Sequence, residues 1–124
     1  MTFIDDQAYR DCISLTSVIF LGSTLPMGVS VFYGCSALSY VSLPEHLSYI
    51  NDHTFYNCNS LTNILLPGTI TFIGRYSFSG CTNLLFPTLP DSVTSIDVYA
   101  FFGCERIDRV VLPKNLSYVG ECAF

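Results

Sequence analysis

Residues 58–81 read CNSLTNILLPGTITFIGRYSFSGC and contain one full repeat of a pattern that continues along the chain. Ile64 and Leu66 alternate around Leu65, which is the period of a β-strand with one buried face. Pro67 follows directly, and because proline has no N–H to donate to a ladder it ends this strand. The repeat therefore begins with a short strand that has one face in the core and one face in solvent.

The second half of the same repeat predicts two further elements. Residues 70–73 form a second, shorter extended segment on the opposite side of the coil. Gly74 shares its column with Gly28, Gly120, Asn51 and Asp97, a residue set typical of a tight turn with positive φ. Residues 77–81 are too few for an independent helix, so we expect a single helical or 3₁₀ turn there.

The repeat returns every 23 residues without insertion. Five cysteines carry this period: Cys12, Cys35, Cys58, Cys81 and Cys104. An aromatic residue precedes each cysteine by three positions, and the column continues to the last residue: Tyr9, Phe32, Phe55, Phe78, Phe101 and Phe124. A fixed period of this length is the signature of a solenoid. Stacked in register, neighbouring strands lie ~4.8 Å apart, so about five coils make a stack of roughly 25 Å.

The pattern L-x-x-I-x-L-P-x-x-L-x-x-I-G-x-x-A-F-x-x-C, present from Leu61 to Cys81 and from Ile107 to Phe124, resembles the BspA-like (treponemal-type) leucine-rich repeat. The resemblance covers nearly the whole chain. It implies a mainly β, right-handed solenoid with one strand pair and one helical or 3₁₀ turn per coil. It also implies surface adhesion for bacterial members. Pro87 departs from the pattern, since it replaces valine or isoleucine and makes the fourth strand irregular.

Composition narrows the function classes. Five Lys and Arg stand against ten Asp and Glu, so the net charge is −5, and half of the residues are hydrophobic. That balance excludes intrinsic disorder. The lack of basic residues argues against nucleic acid and against an anionic membrane surface as partners. Residues 12–44 carry no charge, but glycine, proline and the repeat pattern interrupt them, so we do not expect a membrane span.

The in-phase cysteines have three possible roles. Metal binding requires pairs such as C-x₂-C, which are missing from the sequence. Disulfides between stacked columns are geometrically conceivable, but five equivalent thiols leave one unpaired. We expect a ladder of small buried side chains instead. Cys122 is out of phase and shares its column with His53, Tyr76 and Tyr99, which we expect to be exposed.

The sequence offers little catalytic chemistry. His46 and His53 lie seven residues apart without H-E-x-x-H or a third ligand. The serines lack a G-x-S-x-G elbow, and the glycines match no dinucleotide or phosphate loop. Carboxylates are scattered and do not stack in one column. We therefore expect no enzyme activity, no cofactor and no metal site.

The strand residues that point away from the core predict a binding surface for a protein or glycan ligand. One column stands five residues after each cysteine: Ser17, Tyr40, Asn63, Phe86 and Arg109. The other stands seven residues after it: Ile19, Ser42, Leu65, Thr88 and Val111. Contiguous apolar surface of this kind marks interaction sites, although β-propensity alone also explains such residues. A second stripe of Tyr49, Phe72 and Tyr118 lies fourteen residues after the cysteines and serves to cover the core.

Two settings for such a module stay open. The resemblance favours an adhesive protein at the cell surface, whereas the acidic start at Asp5 and Asp6, where a signal peptide would be positive, favours an intracellular scaffold. Asn115 begins a glycosylation sequon that has meaning only in a secretory pathway. Neither end resembles a polar cap, so we expect residues 1–124 to form a single array within a longer one, or to self-associate end to end.

Overall fold

The computed structural model describes residues 3–22 and 26–124, which fold as a stack of coils. We number the coils from the cysteine that begins each, so that coil 1 begins at Cys12 and coil 5 at Cys104. The strands are β1 (Ser17–Ile19), β2 (Tyr40–Ser42), β3 (Tyr49–Ile50), β4 (Phe72–Ile73), β5 (Ser95–Ile96) and β6 (Tyr118–Val119). All strand pairs are parallel, in a two-stranded sheet β1-β2 and a four-stranded sheet β3-β4-β5-β6.

The register of these sheets confirms the 23-residue coil. Ser17 pairs with Tyr40, and Tyr49 pairs with Phe72, so partners are always one period apart. An isolated parallel bridge between Ile4 and Met27 continues the column of the four-stranded sheet toward the N-terminus. The described residues contain no helix. The chain is thus a parallel-strand repeat solenoid in which each coil lies on the one before it.

The first strand of the repeat forms only in part. Ile64 and Leu66 are buried, and Leu65 between them is 84% exposed, which confirms the predicted alternation. Ladder hydrogen bonds define this strand only in coils 1 and 2, however, so in the described part of the chain only coil 2 contains both strands of the predicted pair. The second strand is regular in coils 2 to 5, and it carries the sheet that holds these coils together.

The predicted helical or 3₁₀ turn before each cysteine is not confirmed. Backbone N–H groups there alternate between two kinds of acceptor. Phe55 donates to the carbonyl of Ser77 in the next coil at 2.7 Å, whereas Tyr56 donates back to His53 at 3.2 Å. A helix would need every N–H to bond within its own turn. His53 and Asn57 also have positive φ, which a right-handed helix does not accommodate.

The positive-φ positions are not those predicted. They form two columns on either side of the aromatic ladder, and the one that precedes it contains Gln7, Ser30, His53, Tyr76, Tyr99 and Cys122. Gly74 is absent from these columns and serves a different purpose. A Cβ there would lie 2.7 Å from the carbonyl carbon of Asn51 and 2.7 Å from the amide nitrogen of Asp52. Glycine at this position allows the backbones of successive coils to approach closely.

The aromatic column forms a continuous ladder through the core. The ring centroids of Phe55 and Phe78 are 5.3 Å apart with planes 14° from parallel, and those of Phe78 and Phe101 are 5.1 Å apart at 4°. Phe32, Phe55 and Phe78 are fully buried. Aromatic stacking adds to the free energy gained by burying these large side chains. The stacked rings therefore keep the core of each coil in contact with the core of the next.

The cysteine column confirms a structural role. All six cysteines are free; Cys35, Cys58, Cys81 and Cys104 are buried, Cys12 is half-buried and Cys122 is exposed. Each buried thiol donates to the backbone carbonyl of the aromatic residue 26 positions earlier, as Cys58 does to Phe32 at 3.2 Å and Cys81 to Phe55 at 3.0 Å. Burial raises the pKa of Cys81 well above its ordinary value and that of Cys104 to about 12. These thiols stay protonated and are poor nucleophiles near neutral pH.

Candidate binding surface

The structure places the ten predicted binding residues on one side of the solenoid, which we call the strand face. Ser17, Ile19, Tyr40, Asn63, Leu65, Thr88, Arg109 and Val111 are exposed, and Ser42 and Phe86 are half-buried. The exposed fraction is 54% for Tyr40 and 67% for Val111. The strand positions thus form a surface across five coils even where no ladder hydrogen bonds are made.

Apolar side chains recur on this face in every second coil. Ile19, Leu65 and Val111 occupy one column in coils 1, 3 and 5, and the smaller Ser42 and Thr88 lie between them. Because each coil advances the stack by about 4.8 Å, the large side chains project roughly 10 Å apart. The intervening small residues leave room for a partner's side chains between these projections.

The strand face opens into a cleft between coils 4 and 5. The cleft has a volume of about 570 Å³ and is lined by residues 85–89 of coil 4 and by residues of coil 5 including Val111 and Leu112. Within the described residues, no backbone hydrogen bond joins 86–89 to 108–112. A volume of this size is typical of ligand sites in proteins.

Pro87 removes one N–H donor from the strand-face backbone that lines the cleft. It holds the position that Val18 holds in coil 1. On either side of Val18, Thr16 accepts from the N–H of Tyr40, and Phe20 donates to the carbonyl of Ser42. In a parallel ladder, alternate residues of a strand bond to the same neighbouring strand. Residue 87 would therefore donate to coil 5, but proline has no N–H.

Charged side chains surround the cleft. Three of the chain's five basic residues line it, namely Arg106, Arg109 and Lys114, together with Asp91 and Asp108. Lys114 pairs with Asp91 at 3.3 Å, and both side chains are exposed. In the part of the chain that the structure describes, neither guanidinium forms an ion pair. The cleft thus offers two free guanidinium groups in a protein that is acidic overall.

Sequence reasoning identified Arg109 but missed Arg106, Asp108 and Lys114. These residues lie outside the two outward strand columns, so the period alone gave no reason to select them. The available signal was the clustering of three basic residues within 106–114 of a chain with only five. Pro87 was a second signal, because it lines the cleft and has no N–H to donate.

A second group of aromatic side chains lies on the turn side of the solenoid, where we expected exposed residues. His53, Tyr76 and Tyr99 are instead half-buried because they stack on one another, with centroids 5.1 and 4.9 Å apart. Burial is the main reason that the pKa of His53 lies below its ordinary value, and Arg75 and Arg10 add to the effect while Asp52 opposes it. Stacking covers the ring faces, so this group offers ring edges rather than flat platforms to a partner.

Two further features bear on function. Across residues 3–22 and 26–124, no three His, Cys, Asp or Glu side chains are grouped so that they could hold a metal ion. Among the same residues, no helix has the length and hydrophobicity that crossing a bilayer requires.

Parallel coils of constant length, a buried aliphatic and aromatic core and an exposed strand face together define a leucine-rich repeat solenoid. The chain belongs to the BspA-type leucine-rich repeat family, whose model matches residues 2–124 in six copies. This membership indicates a protein-interaction module, and the family consists of repeat proteins that are generally non-catalytic. No curated protein matches the chain.

Three solved structures are similar over 97% of this chain. The leucine-rich repeat protein of T. pallidum has a TM-score of 0.86 and 32% identity, and the match covers 63% of that protein. A leucine rich cell surface protein of Faecalibacterium prausnitzii has a TM-score of 0.79 and 29% identity, with 30% of its length covered. A leucine-rich repeat protein of Eubacterium ventriosum shares the fold, with a TM-score of 0.87 at 22% identity over 32% of its length. The chain therefore spans less than two thirds of these proteins.

Proposed function

We propose that the chain is a non-catalytic interaction module that binds a protein through its strand face. The observation that carries this proposal is the column of exposed aliphatic side chains Ile19, Leu65 and Val111 in coils 1, 3 and 5. Exposed apolar side chains lower the solubility of a protein, and large apolar patches on soluble proteins mark interaction sites. Tyr40 and Arg109 add two residue types that are enriched in binding hot spots.

A protein partner fits this surface better than a glycan does. Sugars bind on exposed aromatic ring faces, but Phe86 is half-buried against Phe101 and Phe124, with centroids 5.7 and 5.8 Å away. Tyr40 is then the one freely exposed aromatic among the ten strand-face residues. The aliphatic projections offer burial to apolar side chains of a protein.

We further propose that the module is adhesive and displayed at the cell surface. The similar structure from Faecalibacterium prausnitzii, which is described as a cell surface protein, supports this setting. An intracellular scaffold is the second candidate, and the six free cysteines favour it, since disulfides are common in secreted proteins.

Site-specific photocrosslinking tests the strand face directly. Tyr40 and Tyr49 lie in the same coil on different faces, and each is 54% exposed. We expect p-benzoylphenylalanine in place of Tyr40 to capture a partner protein in cells that carry the chain. The same residue in place of Tyr49 is the matched control and should capture much less. Equal capture from both positions, or capture from position 49 alone, would contradict a binding role for the strand face.

Protease added to the same intact cells distinguishes the two settings. Loss of the chain while a cytosolic control protein survives would support surface display. Protection of the chain until the cells are lysed would favour the scaffold instead and would direct the search for the crosslinked partner to the cytoplasm.

A further inference from the structure

The cleft between coils 4 and 5 has the chemistry of a specific subsite within the strand face. Its apolar part comes from Phe86, Val111 and Leu112. Leu112 belongs to the aliphatic column that is buried in coils 3 and 4, and in coil 5, on which no further coil of this chain stacks, it is 49% exposed. Phe86 and Val111 thus supply the apolar surface that a ligand could bury.

The backbone of the cleft is also free to bind. Val111 lies in the column of Ser42, which accepts a ladder hydrogen bond from Phe20 in coil 1. The strand-face backbone of coils 4 and 5 makes no such bonds between residues 86–89 and 108–112. An extended polypeptide can satisfy unpaired N–H and C=O groups of this kind, as in β-strand addition.

The charges favour an acidic ligand. Arg106 and Arg109 have no carboxylate partner in the described residues, whereas Lys114 is already paired with Asp91. A guanidinium group binds a carboxylate through two parallel hydrogen bonds, which adds both strength and orientation. Asp108 also lines the cleft, and its carboxylate should repel an acidic ligand. Replacing Asp108 should therefore strengthen binding, whereas replacing either arginine should weaken it.

We propose that the cleft between coils 4 and 5 binds an extended acidic segment of a partner protein, with Arg106 and Arg109 binding its carboxylates. This inference rests on the proposed function, because it names the partner chemistry of the same strand face. The backbone of the segment forms hydrogen bonds with the unpaired N–H and C=O groups at the cleft, and the apolar side chains of the segment contact Phe86 and Val111. An acidic glycan also carries carboxylates, but it has no peptide backbone that could form ladder hydrogen bonds with the cleft.

The test uses a fluorescent peptide of about eight residues that alternates threonine with glutamate, since β-branched residues favour an extended chain. Its control replaces every glutamate with glutamine. We expect the purified chain to bind the glutamate peptide at least about tenfold more tightly than the control, as charge-assisted hydrogen bonds are the stronger ones. Arg106→Gln and Arg109→Gln should each weaken binding about tenfold, and Asp108→Asn should strengthen it. Arg75→Gln, which lies away from the cleft, should leave the affinity unchanged.

Other outcomes would overturn the inference. Equal affinity for the two peptides would exclude an acidic segment as the ligand. So would unchanged affinity when either cleft arginine is replaced. Tighter, arginine-dependent binding of an oligomer of glucuronate would identify an acidic glycan instead. A peptide methylated on its backbone nitrogens that binds as well as the parent would exclude strand addition. Crosslinking at position 40 should also be measured in the double variant Arg106→Gln/Arg109→Gln. Unchanged capture there would support protein binding by the strand face but would exclude the cleft as part of the binding site.

Discussion

Replacing Phe78 by alanine should lower the free energy of unfolding by about 3–5 kcal/mol. The ring is fully buried and stacks on Phe55 at 5.3 Å and on Phe101 at 5.1 Å. Its removal leaves a cavity that two neighbouring coils share, and neither coil can close the cavity without leaving its hydrogen-bonded register. Equilibrium unfolding in urea, followed by circular dichroism, measures the loss.

Phe102→Ala is the matched control for this prediction. Phe102 follows the ladder residue Phe101 directly, but it is 49% exposed and makes an edge contact with Tyr99. We expect this substitution to cost about 0.5–1.5 kcal/mol, the scale of an aromatic pair. A loss below about 1 kcal/mol for Phe78→Ala, or equal losses for the two variants, would mean that the ladder does not hold the coils together.

Gly74→Ala should lower the free energy of unfolding by about 1–3 kcal/mol, the range typical of overpacking. Gly74 does not have positive φ, so alanine is compatible with its backbone conformation. The added Cβ would instead lie 2.7 Å from backbone atoms of Asn51 and Asp52, and backbone cannot move aside as a flexible side chain can. Coils 2 and 3 would have to separate locally. Urea unfolding again measures the change.

Gly68→Ala in the same coil is the control, because a Cβ there meets no atom within 4 Å. It should be neutral or stabilise by up to about 1 kcal/mol through the unfolded state. If Gly74→Ala proved as harmless as Gly68→Ala, close approach between the coils would not be the reason for glycine in this column.

The period and the core could be predicted from the sequence because both follow from residue type at a fixed spacing. Every buried cysteine and every ladder aromatic recurs at 23 residues, and only a stack of coils brings such residues together. The local conformation of the turns could not be predicted in this way. Tyr76 and Cys122 have positive φ, which residue preferences disfavour. Hydrogen bonds between neighbouring coils impose this conformation, as in the bond from Tyr76 to the carbonyl of Val98.

The binding surface shows the same division. The outward residues of the strand face follow from counting positions after the cysteine, and most of them are exposed. The cleft does not follow from counting, because Arg106 and Lys114, which line it, lie outside the outward columns. A sequence pattern states which side chains share a face, but the gap between two coils depends on the backbone.

Amide hydrogen exchange on the native chain tests the central claim that the strand face of coils 4 and 5 is open for binding. We predict that Arg109 and Val111 exchange rapidly, since their N–H groups have no backbone acceptor among residues 3–22 and 26–124. Gly74 and Gly120, which donate to Ile50 and Ile96 in the regular sheet region, should be strongly protected. Protection of Arg109 and Val111 equal to that of the two glycines would show a closed ladder, and the cleft with its proposed ligand would then have to be abandoned.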